Sequence, residues 1–321
     1  MPAYFLDTFS PFIWEIRPGF GPRWYGLAYV FAFVAAYAIC RRLAERGYSQ
    51  LPPEKVDGFI TGVALFGVML GGRVGHFVFY AWDDLAGNPL SFFKVWEGGM
   101  ASHGGMLGVL FFTLYYAHRH KLSWPGLGDS IVVVTPLGLF FGRIANFING
   151  ELYGRATKIA WAVQFPSELL SNPRMAGDAG GLISKAIPVP LEKGQMDLRF
   201  DTFDAIMHAA RHDERARDAL RNVLTPRHPS QIYEALLEGA ALFAILWFLR
   251  TKTRQPRGVI TGVFFILYAV ARIFCECFRE PGDPLIGVLT RGQFLSLFLI
   301  FIGAAFIIYG RKAKQYERAV L

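Results

Sequence analysis

The stretch "DSIVVVTPLGLFFGRIANFINGELYGR" (residues 129–155) decides how the chain is read. It opens as an apolar run with the length of a membrane helix. It then places Arg143, Asn146 and Asn149 before that helix ends, followed by Glu151 and Arg155, with glycines threaded between them. A helix needs about 20 predominantly apolar residues to cross the hydrocarbon, and a guanidinium inside it costs a few kcal/mol on insertion scales. Such a residue needs a reason to be there.

The rest of the chain supports a membrane reading. Of 321 residues, 53% are hydrophobic and only 18% charged, with a mean hydropathy of +0.31. Soluble domains carry roughly 25% charged residues. The expected class is an all-α polytopic membrane protein with seven spans, at 24–40, 58–82, 100–117, 130–150, 232–249, 259–278 and 292–310. Trp24, Trp82, Trp96 and Trp124 fall near span ends, where an interfacial belt forms. The opening "MPAYFLDTFSPFIWEIRPGF" lacks a basic region followed by an apolar core, so no cleaved signal peptide is expected. Phe9, Phe12, Ile13 and Trp14 suggest a surface-lying amphipathic piece. Cys40, Cys275 and Cys277 show no metal-ligand spacing and are expected to be buried structural thiols. No metal site is expected.

The net charge of +8 is a matter of topology. Arg41, Arg42, Arg46 and Lys55 follow the first span, Arg119 and Lys121 the third, Arg250, Lys252, Arg254 and Arg257 the fifth, and Arg311, Lys312, Lys314 and Arg318 the seventh. The opposite side's short segments hold Arg17, Arg23, Lys94, Arg279 and Arg291. The positive-inside rule then puts the N-terminus outside and the C-terminus in the cytoplasm. No nucleic-acid footprint is implied. Residues 151–231 become a long external connection, expected to form a small solvated subdomain between the fourth and fifth spans.

Within this topology Arg73, His103, Arg143 and Arg272 all fall in the outer half of the bilayer. Arg143 and Asn146 share one helix side, and Asn149 is expected to point elsewhere. Arg272, Glu276 and Arg279 form a single stripe. Gly67, Gly71 and Gly75, with Gly104 and Gly108, and Gly138 and Gly142, invite close helix packing. Two readings stand for each arginine: a structural ion pair, as Arg272 and Glu276 could form alone, or part of an anion site. With one deep carboxylate counted, positive charge is in excess, and an anionic lipid headgroup would balance it. His103 alone reads as a hydrogen-bonded packing residue, and Glu234 and Glu238 as an interfacial helix start.

The ordered motifs carry more. "GRIANFINGELYGR" (142–155) closely resembles the G-R-x-x-N-F-x-N-x-E-x-x-G signature of bacterial prolipoprotein diacylglyceryl transferases. "RWYGLAY" (23–29), "LGGRVG" (70–75), "VWEGGMASHGG" (95–105), "RHPSQIYE" (227–234) and "YAVARIFCECFREP" (268–281) resemble that family's other landmarks, in the same order. The resemblance implies transfer of the diacylglyceryl group of phosphatidylglycerol to the lipobox cysteine in the signal peptide of a preprolipoprotein. A thioether forms and glycerol phosphate leaves, the first step of lipoprotein maturation, at the outer face of the bacterial inner membrane. It implies His103 as the base for the thiol, with Arg143 and Arg272 holding the phosphate. Tyr25, Asn146, Glu151, Gly154, Tyr268 and Glu276 would bind or orient the headgroup, with Arg73, His228, Glu234 and Arg279 behind them. Gly154 would serve through backbone conformation. No cofactor is implied. Residues 181–222 match nothing in that pattern.

The alternative is an anionic-lipid transporter or binding protein, for which buried arginines are equally apt. It predicts repeat symmetry between the halves, and "GRIANFINGE" has no counterpart around residues 259–278. An intramembrane protease would need a serine elbow or paired aspartates within spans, and neither is present.

Overall fold

The computed structural model describes residues 4–16, 20–94, 98–187, 203–281 and 285–316. Trp96, Arg17 and Arg318, invoked above for the aromatic belt and the charge asymmetry, lie outside the described residues. The main elements are β1 (Phe5–Leu6), α1 (Trp24–Glu45), α2 (Pro53–Tyr80), α3 (Ser102–Arg119), α4 (Trp124–Ile148), β2 (Val163–Gln164), α5 (Pro173–Ala186), α6 (Phe203–His212), α7 (Glu214–Val223), β3 (Pro226–Arg227), α8 (Ser230–Lys252), α9 (Val259–Glu276) and α10 (Arg291–Ala313).

Six of these helices, α1, α2, α4, α8, α9 and α10, are long and apolar enough to cross a membrane. The chain is a mostly helical, polytopic membrane protein. The segment expected as the third span is also a helix, α3, of 18 residues. Its polar ends, with His103 in the first turn and His118 and Arg119 in the last, keep it out of the group of six. Two of the long helices are not α-helical throughout: Val63–Leu70 in α2 and Ala235–Ala241 in α8 are π-helical. Such segments are rare and recur at functional sites.

Two compact units divide the chain. One comprises Val30–Gly138, Gly239–Ala269 and Leu297–Leu321. Here glycines set the packing. A Cβ on Gly71 would lie 2.7 Å from the Gly108 Cα, and one on Gly108 would lie 2.8 Å from the Gly71 Cα. The backbones of α2 and α3 therefore touch where side chains would normally stand. Gly262 on α9 and Gly303 on α10 meet in the same way, a pair not singled out from the sequence. Asp129, fully buried, accepts from the backbone N–H of Gly258 (2.7 Å) and Thr261 (2.8 Å) and from the Thr261 hydroxyl (2.7 Å). It supplies from α4 the capping oxygens that the first turn of α9 lacks.

The other unit comprises Met1–Tyr29, Leu139–Glu238 and Val270–Ser296. Its sheet has the order β1-β2-β3, with β1 parallel and β3 antiparallel to β2. Leu6 joins Leu169, Ile183, Ile206, Ala210 and Leu220 in one buried core. Asp213 separates α6 from α7 because its carboxylate accepts from the Arg215 N–H at 2.8 Å, as an N-cap does. The amphipathic surface piece expected near the N-terminus takes another form. Residues 4–16 hold strand and bends, Phe5–Leu6 is paired into the sheet, and Phe12 bridges Arg23. Phe12 serves a backbone bridge that periodicity does not reveal, while Phe9 and Trp14 keep their side chains exposed. Cys40 and Cys275 are buried as expected, but Cys277 is exposed.

Candidate active site

The end of α4 explains why "NFINGE" has its composition. Gly150 has φ +66°, the left-handed conformation that glycine adopts without steric cost. The Glu151 N–H reaches back to the Asn146 carbonyl (2.9 Å) and the Gly150 N–H to that of Phe147 (2.9 Å). This is a Schellman C-cap. It turns the chain so that the Asn146 and Asn149 amides both donate to the Glu151 carboxylate, at 3.4 and 3.0 Å. Asn149 thus joins Asn146 on Glu151, against the expectation from helical spacing, because the cap folds the carboxylate back over both. Leu152 follows with φ +57°, uncommon for a leucine. It is held by Ser230 Oγ on its carbonyl (3.0 Å), while Gln231 Nε2 donates to the Glu151 carbonyl (2.6 Å).

One turn earlier on α4, Arg143 enters a cluster of ions. Its Nε lies 2.9 Å from Glu234 Oε2 and its Nη2 3.4 Å from Glu238 Oε2. Arg272 Nη1 lies 2.9 Å from Glu234 Oε1 and 3.5 Å from Glu238 Oε1, and its Nη2 bonds Glu276. Arg279 Nη1 lies 3.4 Å from Glu234 Oε1. Glu234 and Glu238 are fully buried. The arginine side chains keep 16, 13 and 20% exposure for Arg143, Arg272 and Arg279. Gly292 packs against Glu276, since a Cβ there would lie 2.6 Å from Glu276 Oε1.

This geometry corrects two sequence readings. Glu234 and Glu238 are not an interfacial helix start. Glu234 is the hub of the cluster, and Glu238, which the sequence reading left out of the site, is a second member. The positive excess is absent too: Arg143, Arg272 and Arg279 face Glu234, Glu238 and Glu276. Buried carboxylates are tolerated only when paired, and two glutamates inside an apolar helix are themselves the signal that could have predicted these partners. An anion here would be held by guanidinium N–H groups beyond those spent on carboxylates, rather than by surplus charge. Arg143 and Arg279 meet carboxylates through two and one of their three nitrogens respectively.

Gly154 stands beside the cluster. It bridges Arg279 in antiparallel fashion, and its N–H donates to the His228 carbonyl at 2.9 Å. A Cβ at Gly154 would lie 2.6 Å from His228 Cβ and 2.7 Å from His228 O. Its backbone is not left-handed, so the glycine is required for close approach rather than for conformation. Arg227 ties the same junction together. It pairs with Glu168 (2.6 Å) and Glu280 (3.0 Å), donates to the Gly154 carbonyl (3.3 Å) and lies over the Tyr153 ring. Arg227 and Glu168 were not legible as site-supporting residues because their partners are dozens of positions away. Tyr25 lies in this unit with its ring 5.7 Å from that of Tyr29.

Arg73, His103 and Tyr268 belong to the other unit. Arg73 is buried and donates to five backbone carbonyls, those of Ser91, Phe92, Lys94, Gly98 and Gly99. A guanidinium has five N–H groups, so this side chain is fully engaged in shaping the loop before α3. His103 is exposed in the first turn of α3. Tyr268 stacks on Phe264, centroids 5.9 Å apart.

Known proteins resemble the chain over nearly its whole length. The family model described as prolipoprotein diacylglyceryl transferase matches residues 11–309. A phosphatidylglycerol–prolipoprotein diacylglyceryl transferase of Bdellovibrio bacteriovorus is 38% identical, covering 97% of this chain and 96% of its own. Proteins of the same name from Xanthomonas campestris pv. campestris and Xanthomonas oryzae pv. oryzae are each 37% identical, covering 98 and 96% of this chain and 96 and 94% of their own. With a family match across nearly its whole length and relatives above a third identity, the chain belongs to the prolipoprotein diacylglyceryl transferase family.

Proposed function

We infer that this chain is a transferase that moves the diacylglyceryl group of phosphatidylglycerol onto the cysteine thiol of a prolipoprotein. The sulfur–carbon bond forms as the carbon–oxygen bond to phosphate breaks. The thiol proton goes to a base, and glycerol phosphate departs with the electron pair. The convergence of Arg143, Arg272 and Arg279 on Glu234 carries this reading. Three guanidiniums held rigid by one buried carboxylate are preorganised for the phosphate oxygens on which charge develops.

Each residue then has a task. Arg143 and Arg272 stabilise the departing phosphate, Glu234, Glu238 and Glu276 hold the guanidinium planes, and Arg279 assists. Asn146, Glu151 and Gly154 shape the mouth, with Tyr25 and Tyr268 orienting the headgroup and Arg73 setting the loop before α3. His103 is the base. A thiol of pKa about 8.5 is only a few per cent ionised at neutral pH, so a base raises the thiolate fraction by up to roughly thirtyfold. The signal peptide around the lipobox cysteine is the acceptor. Seven spans, α3 included, with an external N-terminus and cytoplasmic C-terminus, put the chemistry at the outer face of the bacterial inner membrane. Residues 151–231 form the external subdomain. A transporter or binding-protein reading is not favoured, since the relatives are named as transferases.

The test is incubation of the purified protein with phosphatidylglycerol and a lipobox peptide, with thioether product read by mass spectrometry. Wild-type protein should give product and Arg143→Ala should not. Normal processing by Arg143→Ala would refute the phosphate role.

A further inference from the structure

A second polar constellation lies outside the ion cluster but within the same unit. The Trp161 Nε1–H donates to the Tyr233 hydroxyl at 2.8 Å, and that hydroxyl lies 3.2 Å from His228 Nδ1. An indole N–H can only donate, so the phenol oxygen is the acceptor from Trp161. The phenol keeps its own proton, and its 3.2 Å approach to His228 Nδ1 lets it donate that proton to the ring. The imidazole is also clamped. Its centroid lies 5.9 Å from the Tyr233 ring and 5.2 Å from the Phe278 ring, each at 66°, and those two rings lie 5.6 Å apart. The His228 N–H donates to the Arg155 carbonyl at 3.0 Å, and the His228 carbonyl accepts from Gly154. Ring plane and backbone are thus both held. Burial lowers the His228 pKa below the usual histidine value of 6.5, which favours the neutral ring.

We propose that Trp161 and Tyr233 are positioning residues that lock His228 in the Nε2–H tautomer, presenting a neutral hydrogen-bond donor to phosphate oxygens at the mouth beside Gly154. This rests on the phospholipid reading above. A neutral donor suits the place. The nearby cluster already balances three guanidiniums with three carboxylates, and an imidazole locked in this form adds a donor without adding charge. Nδ1 held as an acceptor leaves the ring's only proton on Nε2. The same donor can serve the phosphodiester of the substrate or the phosphate monoester that leaves.

The experiment uses full-length protein in detergent micelles, labelled with 15N at histidine, with His228 assigned through His228→Gln. Long-range proton–nitrogen spectra should show Nδ1 unprotonated and Nε2 protonated in the wild type, and averaged signals in Tyr233→Phe. In the thioether assay, Tyr233→Phe and Trp161→Phe should raise KM for phosphatidylglycerol by up to about tenfold, the scale of one hydrogen bond, with kcat held within about twofold. Inhibition by glycerol phosphate should weaken in parallel if the donor also serves the product, and stay unchanged if it serves the substrate alone. His228→Gln, whose amide nitrogen stands near the Nε2 position, should recover most of the loss seen in His228→Ala. His228→Asn, whose amide stands near Nδ1, should not. A wild-type ring protonated at Nδ1, equal rescue by asparagine and glutamine, or an unchanged KM in Tyr233→Phe would overturn the proposal. Absence of any wild-type product would instead fail the underlying phospholipid reading, and the tautomer spectra remain readable in that case.

Discussion

Replacing Glu234 with glutamine tests the ion cluster at its hub. The substitution preserves shape but removes the charge that faces Arg143 Nε at 2.9 Å, Arg272 Nη1 at 2.9 Å and Arg279 Nη1 at 3.4 Å. Glutamine keeps one acceptor oxygen and turns an NH2 donor toward a guanidinium, a donor–donor clash in a site with no exposure on the carboxylate side. Breaking a buried ion pair by removing one partner costs about 3–5 kcal/mol. Glu238 and Glu276 remain to share the charge, so the lower end, about 3 kcal/mol, is expected. At roughly 2–4 °C per kcal/mol for chains of about 150–250 residues, and less for longer ones, Tm in detergent should fall by no more than about 6–12 °C. Activity should fall further, because displacing a phosphate-holding group by about 1 Å costs on the order of a hundredfold. Differential scanning fluorimetry and the thioether assay read the two effects. Glu280→Gln is the matched control. Its partner is Arg227, but its side chain is 47% exposed, so it should cost no more than about 1 kcal/mol. A Glu234→Gln protein that melts with the wild type and turns over normally would refute the hub.

Three further outcomes follow from individual contacts. His103→Gln should insert and fold yet lose nearly all transfer, and wild-type turnover of a lipobox peptide would rule out a base at His103. Gly154→Ala forces a Cβ to within 2.6 Å of His228 Cβ and 2.7 Å of its carbonyl, so a loss of about 1–3 kcal/mol and more than tenfold in rate is expected, measured by thermal melts and initial rates. Asp7 is buried and its carboxyl is pushed up to about 7, chiefly by desolvation. Its folded state therefore prefers the proton, and the Asp7 contribution to stability is fully present below the unfolded value of 3.8 and is lost as pH rises through about 7. Asp7→Asn should match wild-type Tm near pH 4 and exceed it at pH 8, and identical melting profiles at both would contradict the burial argument.

Much of the ion cluster and its surroundings is legible in the sequence. Arg143, Asn146, Glu151, Arg272, Glu276 and Arg279 stand out because polar groups in an apolar run, or just past its end, are costly and few. Their roles were less legible. Gly154, expected to serve through backbone conformation, serves a close approach to His228. The resemblance sets Arg73 behind the headgroup residues, but its donors are taken up by the carbonyls of Ser91, Phe92, Lys94, Gly98 and Gly99. Asn149 was sent to another face by helical spacing, yet a Schellman cap two residues on brings Glu151 to it. Each of these depends on where a loop goes after an element ends, and loops carry no periodicity.

What the sequence by itself determined are the properties that sum over neighbours along the chain. Apolar length placed the helices within a few residues, four-residue glycine spacing marked the close crossing of α2 and α3, and one ordered set of motifs identified the family. What only the tertiary structure decided is the pairing of charge. Glu234 meets Arg272 across 38 positions of sequence, and Glu238 meets Arg143 across 95. A carboxylate's burial is tolerable or ruinous according to a partner that composition cannot locate, so the cluster's neutrality became visible only once the helices were in place.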